Sequence, residues 1–378
     1  MSTEKRTRAW VEVQASAVRR NYRRIADAMG GGARLIPMVK ADAYGLGADR
    51  AVATLEPLEP WGYGVAAVAE GQELRRLGVR RPVLLFTPLP PGSYGDAVRA
   101  DLTPCLSDLE GLQRLERAAT LRSGEGGVPF QVEIDTGMGR SGFDWREAER
   151  WGPVVAARHG RTLRWTGVFT HLHSADEDEV SIRVQLERFR ATLELLELPG
   201  EDFLVHVANS AGALRRGGSL PPAARPGIFL YGGRAGLDLP APEPVASLRS
   251  RVVLVREVPP GTTLGYGATY AASSWERWAT LAVGYGDGLP RALGNRGHAL
   301  LRGTRVPIVG RISMDMTVVN ISGLDGVELG DVATLVGREG AEEITVDEVA
   351  DRVGTIGYEV LTGLTGRLPR IWVDDGEA

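Results

Sequence analysis

Cysteine is almost missing from this chain. Cys105 is the single thiol among 378 residues, which rules out an internal disulfide and fits a reducing compartment. Long apolar runs are missing too: none approaches the roughly 20 residues needed to cross a bilayer. Residues 1–8 are polar and charged with no apolar stretch behind them, so no secretory signal is expected and the location reads as cytoplasmic, without a membrane partner. There is no strong charge imbalance. Lys and Arg total 44 against 48 Asp and Glu, a net charge of −4, and no long basic stripe appears. The Arg-rich pieces Arg19–Arg24 and Arg75–Arg81 fall within amphipathic helical patterns and read as solvated faces, so nucleic acid is excluded as a main partner. Histidine is scarce as well: His159, His171, His173, His206 and His298 show no paired spacing with cysteine. His171 and His173 would share a strand face but lack a third ligand, and no metal site is expected.

What is present is an alternation of short apolar runs with amphipathic stretches. Candidate buried strands are Leu35–Val39, Tyr63–Val68, Pro82–Phe86, Leu102–Leu106, Phe130–Asp135, Trp165–His171, Phe203–Ala208 and Gly227–Tyr231. Helix-like segments separate them, and an amphipathic opener, Ala15–Met29, precedes the first. Strands alternating with helices imply a parallel sheet, and eight units suggest closure into a barrel. Beyond Gly233 the texture changes. Pro240, Pro242 and Pro244 mark a linker, followed by β-branched and alternating runs with turn residues between them. The fold class expected is α/β: a (β/α)8 TIM-type barrel over 9–238, then a mainly antiparallel β domain over 239–378. One helix signal remains there, Thr345–Val353, with Thr345 and Glu348 at capping-box spacing.

The chemistry is concentrated at strand ends. The run Leu35–Val39 delivers Lys40 straight into the Gly-punctuated turn Ala41-Asp-Ala-Tyr-Gly-Leu-Gly47. A lysine ending a buried strand is costly unless it is paired or uncharged, and an uncharged amine is nucleophilic, as Schiff-base chemistry requires. A lysine that merely reaches water is the plain alternative. Other strand ends add Asp135–Arg140, His171 and Asn209-Ser210, and Arg225 opens the eighth strand. In a barrel of this type such ends meet at one mouth.

The chain resembles the alanine racemase family, pyridoxal-phosphate enzymes with a barrel followed by a β domain. The resemblance rests on Val39-Lys-Ala-Asp-Ala-Tyr-Gly, Ile134-Asp-Thr-Gly-Met-Gly-Arg140, Phe169-Thr-His171, His206-Val-Ala-Asn-Ser-Ala211 and Arg225-Pro-Gly-Ile228. It continues through Gly265-Tyr-Gly-Ala-Thr-Tyr270, Gly284-Tyr-Gly-Asp-Gly288, Gly310-Arg-Ile-Ser-Met-Asp315 and Gly354-Thr-Ile-Gly-Tyr-Glu359. It implies pyridoxal 5'-phosphate bound as a Schiff base to Lys40. It also implies a racemase with two bases on opposite faces of Cα, Lys40 and Tyr266. A phenol is a poor base at neutral pH unless nearby cations lower its pKa. Arg225 would face the pyridine nitrogen, where a donor-only guanidinium keeps that nitrogen unprotonated. His206 would support Arg225 or be a satisfied core histidine. Ser210, the N–H groups of Gly227 and Ile228, and the hydroxyls of Tyr44 and Tyr358 would cradle the phosphate, with Asn209 beside them and a helix opening at Ser210. His171 would lie against the ring. Arg140 and the backbone of Met314 would meet the carboxylate of an amino-acid substrate. Tyr266, Met314 and Tyr285 lie in the second domain, which in this family completes the neighbouring subunit's site, so a homodimer with composite sites is implied.

Four departures stand out. Glu133 occupies a position where many members carry a carbamylated lysine, and it is expected to orient Arg140 directly, through water or through a neighbouring polar group. Leu46 replaces a histidine, Leu289 a tyrosine and Gly357 an asparagine, changes expected to reshape the entrance and bear on substrate range. Alanine is the expected substrate. A racemase of broader range or one acting on serine, a diamino-acid decarboxylase, and a non-catalytic pyridoxal-phosphate carrier are the alternatives.

Overall fold

A computed structural model describes residues 7–121, 126–200 and 202–374. Part of the polar amino-terminal stretch read above, residues 1–6, lies outside the described residues. Eight short parallel segments form a barrel: Arg34–Leu35, Tyr63–Val65, Val83–Leu85, Thr103–Leu106, Val128–Asp135, Leu163–Phe169, Leu204–His206 continued by Ala208–Asn209, and Ala223–Arg225. The ring closes where Ala224 pairs with Leu35 and Met38 bridges Gly64. Most of these residues are buried, as a sheet covered by helices requires. Helices wrap the outside. Ala15–Met29 forms as its period indicates, burying Val18, Tyr22, Ile25 and Met29 along one stripe. Inside the ring Ile36, Leu84, Cys105, Phe169, Leu204 and Ala223 pack together. Cys105 is thus a small apolar filler whose thiol burial pushes well up from its usual range.

One correction changes the site. The eighth strand is Ala223–Arg225, and the run assigned to it, Gly227–Tyr231, leads into a 3-10 turn over Ile228–Tyr231. Pro226 has no N–H to give a neighbouring strand, so the ladder stops one residue earlier. Arg225 therefore ends its strand, at the mouth, rather than opening it.

The second unit is a nine-stranded sheet, antiparallel but for one pairing. Its amino-terminal member was not anticipated. Ala9–Gln14, grouped above with the barrel, runs antiparallel to Ala246–Val258 and parallel to Arg370–Val373. Thr345 caps the helix Val346–Val353 by accepting from Glu348 N at 2.9 Å. Only half of the capping box forms, because the Glu348 carboxylate is held instead by Arg305 and Arg352. Among the described residues no helix is long and apolar enough to cross a membrane, and no three His, Cys, Asp or Glu side chains gather as a metal site.

Candidate active site

A cavity of about 410 Å³ opens at the carboxyl-terminal end of the barrel strands. Lys40 lines it. The residues after Lys40 turn the wrong way for L-amino acids: Ala41, Asp42, Ala43 and Tyr44 have φ of 52°, 55°, 52° and 58°, one turn of left-handed helix. Each such residue costs roughly 1–2 kcal/mol. Glu70 helps to hold the turn, accepting from the N–H groups of Ala41 (2.7 Å), Ala66 (2.8 Å) and Ala67 (3.1 Å). With Glu70 so engaged, the Lys40 amine has no hydrogen bond or ion pair among the described residues. Burial pulls its pKa below the ordinary lysine range, and the Arg140 charge, and then that of Arg225, add to the effect against an opposing pull from Glu70. Lysine occurs at only two positions in the whole sequence, 5 and 40. That scarcity was a signal available to sequence reasoning and not used.

Arg225 is buried at the foot of the cavity. Its Nη1 donates to His206 Nδ1 (2.7 Å), and its Nη2 to the carbonyls of Thr170 (2.9 Å) and Val207 (3.2 Å). The guanidinium lies over the Phe169 ring, 5.0 Å from its centroid. Burial draws its pKa down to about 10, so it remains charged at neutral pH. His171 also lines the cavity. Burial first, then the charges of Arg225, Arg140 and Lys40, hold it near 3, so the imidazole is uncharged at neutral pH.

The far wall is built from phenols and small groups. The Tyr44 ring sits 4.9 Å from that of Tyr231 and 6.0 Å from that of Tyr358, which arrives from the second unit on the helix Gly357–Thr362. Burial raises Tyr358 to about 12, with Asp176 and Asp347 adding to it. Gly227 N donates to Ser210 Oγ at 3.0 Å. A Cβ at Gly227 would overlap the Tyr44 hydroxyl and stand 2.9 Å from Cζ, so only glycine leaves this corner open. Asn209 faces the cavity and caps the helix Ser210–Arg216 through Gly212 N, and Ile228 lines the same corner. Lys40, Tyr44, His171, Asn209, Ser210, Arg225, Gly227, Ile228, Tyr358, Arg140 and Glu133 thus share one cavity.

Glu133 does not pair with Arg140. Its Oε2 accepts from Ser141 Oγ (2.8 Å) and Ser107 Oγ (3.4 Å), and no arginine among the described residues lies within ion-pair distance. Burial raises its pKa, against the pull of the Ser141 hydrogen bond and of Arg140 and Arg225. Of the three routes expected above the direct contact is absent, and the groups bonded to Glu133 are the hydroxyls of Ser141 and Ser107. Phe86, Thr87 and Phe169 also line the cavity and were missed, having only apolar or loop character in sequence.

Three expected site residues are elsewhere. Tyr266, Met314 and Tyr285 are 67%, 52% and 40% exposed and do not line this cavity. Tyr285 and Met314 sit together, Gly286 N donating to Met314 O at 2.8 Å, on a turn whose buried Asp287 pairs with Arg8. Two of the departures prove to be core positions. Leu46 and Leu289 are buried and do not line the cavity. At Gly357 a Cβ would stand 2.7 Å from Asp347 Oδ1.

Residues 13–235 match the alanine racemase N-terminal domain and residues 245–372 the alanine racemase C-terminal domain. The chain belongs to the alanine racemase family. An alanine racemase of Carboxydothermus hydrogenoformans is 38% identical, over 96% of this chain and 99% of that one. Among solved structures, the alanine racemase of E. faecalis superposes with a TM-score of 0.89 at 31% identity, over 99% of this chain and 100% of the other. That of Bartonella henselae, solved with covalently bound pyridoxal phosphate, gives 0.87 at 26% identity, over 97% and 100%. The family has both parts in the order found here, barrel then antiparallel sheet.

Proposed function

We propose that this protein interconverts L-alanine and D-alanine using pyridoxal 5'-phosphate. The observation that carries the reading is Lys40: an amine without a charged partner, its pKa lowered, facing a cavity beside a donor-only arginine. The cavity suits the cofactor. The corner kept clear by Gly227 is lined by Ser210 Oγ, Gly227, Ile228 and the Tyr44 and Tyr358 hydroxyls, a set that suits a phosphate without a lysine or a metal. Arg225 suits an unprotonated ring nitrogen, and His171 and Asn209 complete the enclosure. Bound there through Lys40, the cofactor would supply an electron-withdrawing ring that acidifies the Cα–H of an amino acid.

The chain's own residues do the rest. The Lys40 amine takes or returns a proton at Cα from one side. Arg140, with the Glu133 carboxylate near enough to feel its charge, holds the substrate carboxylate, joined by the Met314 backbone. Tyr266 serves the opposite side. Because Tyr266, Met314 and Tyr285 lie on the surface away from their own cavity, a second copy must bring them in, and the reading is a homodimer with composite sites. The units act as a barrel over 9–238 and a β domain over 239–378, the first strand joining the second sheet. A cytoplasmic location goes with this reading. Burial of Leu46 and Leu289 away from the cavity favours alanine over a broader range.

Two measurements test it. Chiral analysis after incubation with L-alanine should show D-alanine. Borohydride reduction should fix pyridoxal phosphate on the peptide containing Lys40, with Lys5 as the only competing side-chain amine. Absence of both products would end the proposal.

A further inference from the structure

Below the cavity, inside the barrel, runs a polar chain that the chemistry above does not use. Gln131, on the strand Val128–Asp135, is fully buried, and its Oε1 lies 2.6 Å from His206 Nε2. His206 Nδ1 lies 2.7 Å from Arg225 Nη1. A guanidinium only donates, so Nδ1 must present its lone pair. The proton of the neutral ring is then on Nε2, which donates to Gln131 Oε1. Every bond in the chain points the same way, from Arg225 to Gln131.

At its lower end the chain stops on a group with nothing to bond. The buried Gln131 Nε2 has no hydrogen-bond partner. A buried donor left unmade bears its full desolvation cost. Turning the amide over gives no relief, because its NH2 would then face the His206 Nε2–H, donor against donor. The orphan is therefore the consequence of a polarity set at the top by Arg225. The barrel also makes room for this amide: a Cβ at Gly167 would stand 2.8 Å from Gln131 Nε2.

We propose that Gln131 is a positioning residue for Arg225, acting through His206. By accepting from the Nε2–H it holds the imidazole where its Nδ1 receives the guanidinium. Nη2 is fixed by the carbonyls of Thr170 and Val207, which can only accept. Nη1 is fixed by a ring whose tautomer its own donation selects, and Gln131 sets where that ring stands. Burial and the Arg225 charge keep His206 far below the usual histidine range, so protonation does not compete with the tautomer choice. The Nε–H and second Nη1–H of Arg225 are left for the cavity it lines. The role rests on the preceding reading of Arg225 as a site residue.

The test is 15N NMR of histidine-labelled full-length protein, tractable with five histidines, alongside kinetics and the visible absorption of the cofactor-loaded form. In the wild type, His206 should show a protonated Nε2 and a bare Nδ1. Gln131→Met removes the acceptor at similar length, and Gln131→Asn withdraws it by one methylene. In both, the Nδ1 signal should move toward that of an unbonded ring nitrogen as the ring leaves the guanidinium, the visible band should shift, and kcat should fall about tenfold with KM for alanine within about twofold. Gln131→Glu, which can still accept, should restore the wild-type Nδ1 signal. A wild-type Nδ1 signal in both Gln131→Met and Gln131→Asn overturns the proposal, whatever their activity. The Nδ1 arm needs neither cofactor nor turnover. Failure of the racemase reading would show separately, as a wild type without the visible band or D-alanine.

Discussion

Ala41 and Ala191 are both exposed alanines, one in the left-handed turn after Lys40 and the other in the right-handed helix Glu179–Glu194. Glycine at the two positions should act with opposite sign. At Ala41, φ 52° and ψ 47° cost an L-residue about 1–2 kcal/mol, and glycine escapes that cost. The unfolded chain gains freedom worth about 0.4–1 kcal/mol against it. The net expectation is a stabilisation near 1 kcal/mol. The Ala41 N–H bond to Glu70 stays, since it is made by backbone. At Ala191 the strain is absent, and Ala191→Gly should destabilise by about 1 kcal/mol. The two variants should therefore separate by about 2 kcal/mol in equilibrium urea unfolding of cofactor-free protein at one concentration, with m unchanged. An Ala41→Gly variant as destabilised as Ala191→Gly would refute the handedness argument.

Further outcomes are expected from the cavity. Gly227→Ala drives a methyl into the Tyr44 hydroxyl, and pyridoxal-phosphate affinity, followed by its visible band, should weaken about tenfold or more; unchanged affinity removes this corner from the site. Glu133→Gln keeps the Ser141 and Ser107 partners but not the charge. KM for alanine should rise severalfold, and intact rate and KM would deny Glu133 any hold on Arg140. The same variant should be no less stable than wild type at pH 8, because a carboxyl with a raised folded pKa costs stability increasingly as pH climbs above its unfolded value. His206 is pulled far below 6.5 by burial, so the fold holds it neutral while the unfolded chain takes up a proton below that value. Its contribution is complete above pH 6.5 and falls by about 1.4 kcal/mol per pH unit below it; His206→Asn should flatten the acid limb of stability by about 2 kcal/mol between pH 6.5 and 5. Tyr266→Phe should abolish alanine racemisation yet leave cofactor binding in place, and full activity would sink its role as a base.

Periodicity exposed those elements whose local preference agrees with their packing. Ala15–Met29 forms at the bounds its apolar spacing indicates. The left-handed turn at Ala41–Tyr44 was not legible, because four non-glycine residues there defy their own preference and are held by Glu70 and the buried rings of Tyr44 and Tyr231. The eighth strand was misplaced because Gly227–Tyr231 is apolar for a different reason, its burial as a turn after Pro226. Strand-end reading brought Lys40, His171 and Asn209-Ser210 to one mouth. It did not reveal that Gln131, two residues before Glu133, points inward to His206, since alternation alone does not tell a barrel's interior from its jacket.

The amino-terminal strand has a consequence for how the chain is made. Ala9–Gln14 lies between Ala246–Val258 and Arg370–Val373, so it leaves the ribosome long before either neighbour and completes its pairing only after Arg370–Val373 has emerged. The whole (β/α) ring is in effect an insertion between strands of another sheet. A nascent chain halted before residue 370 would leave one flank of that opening strand bare, and its final docking is a late, two-ended clasp.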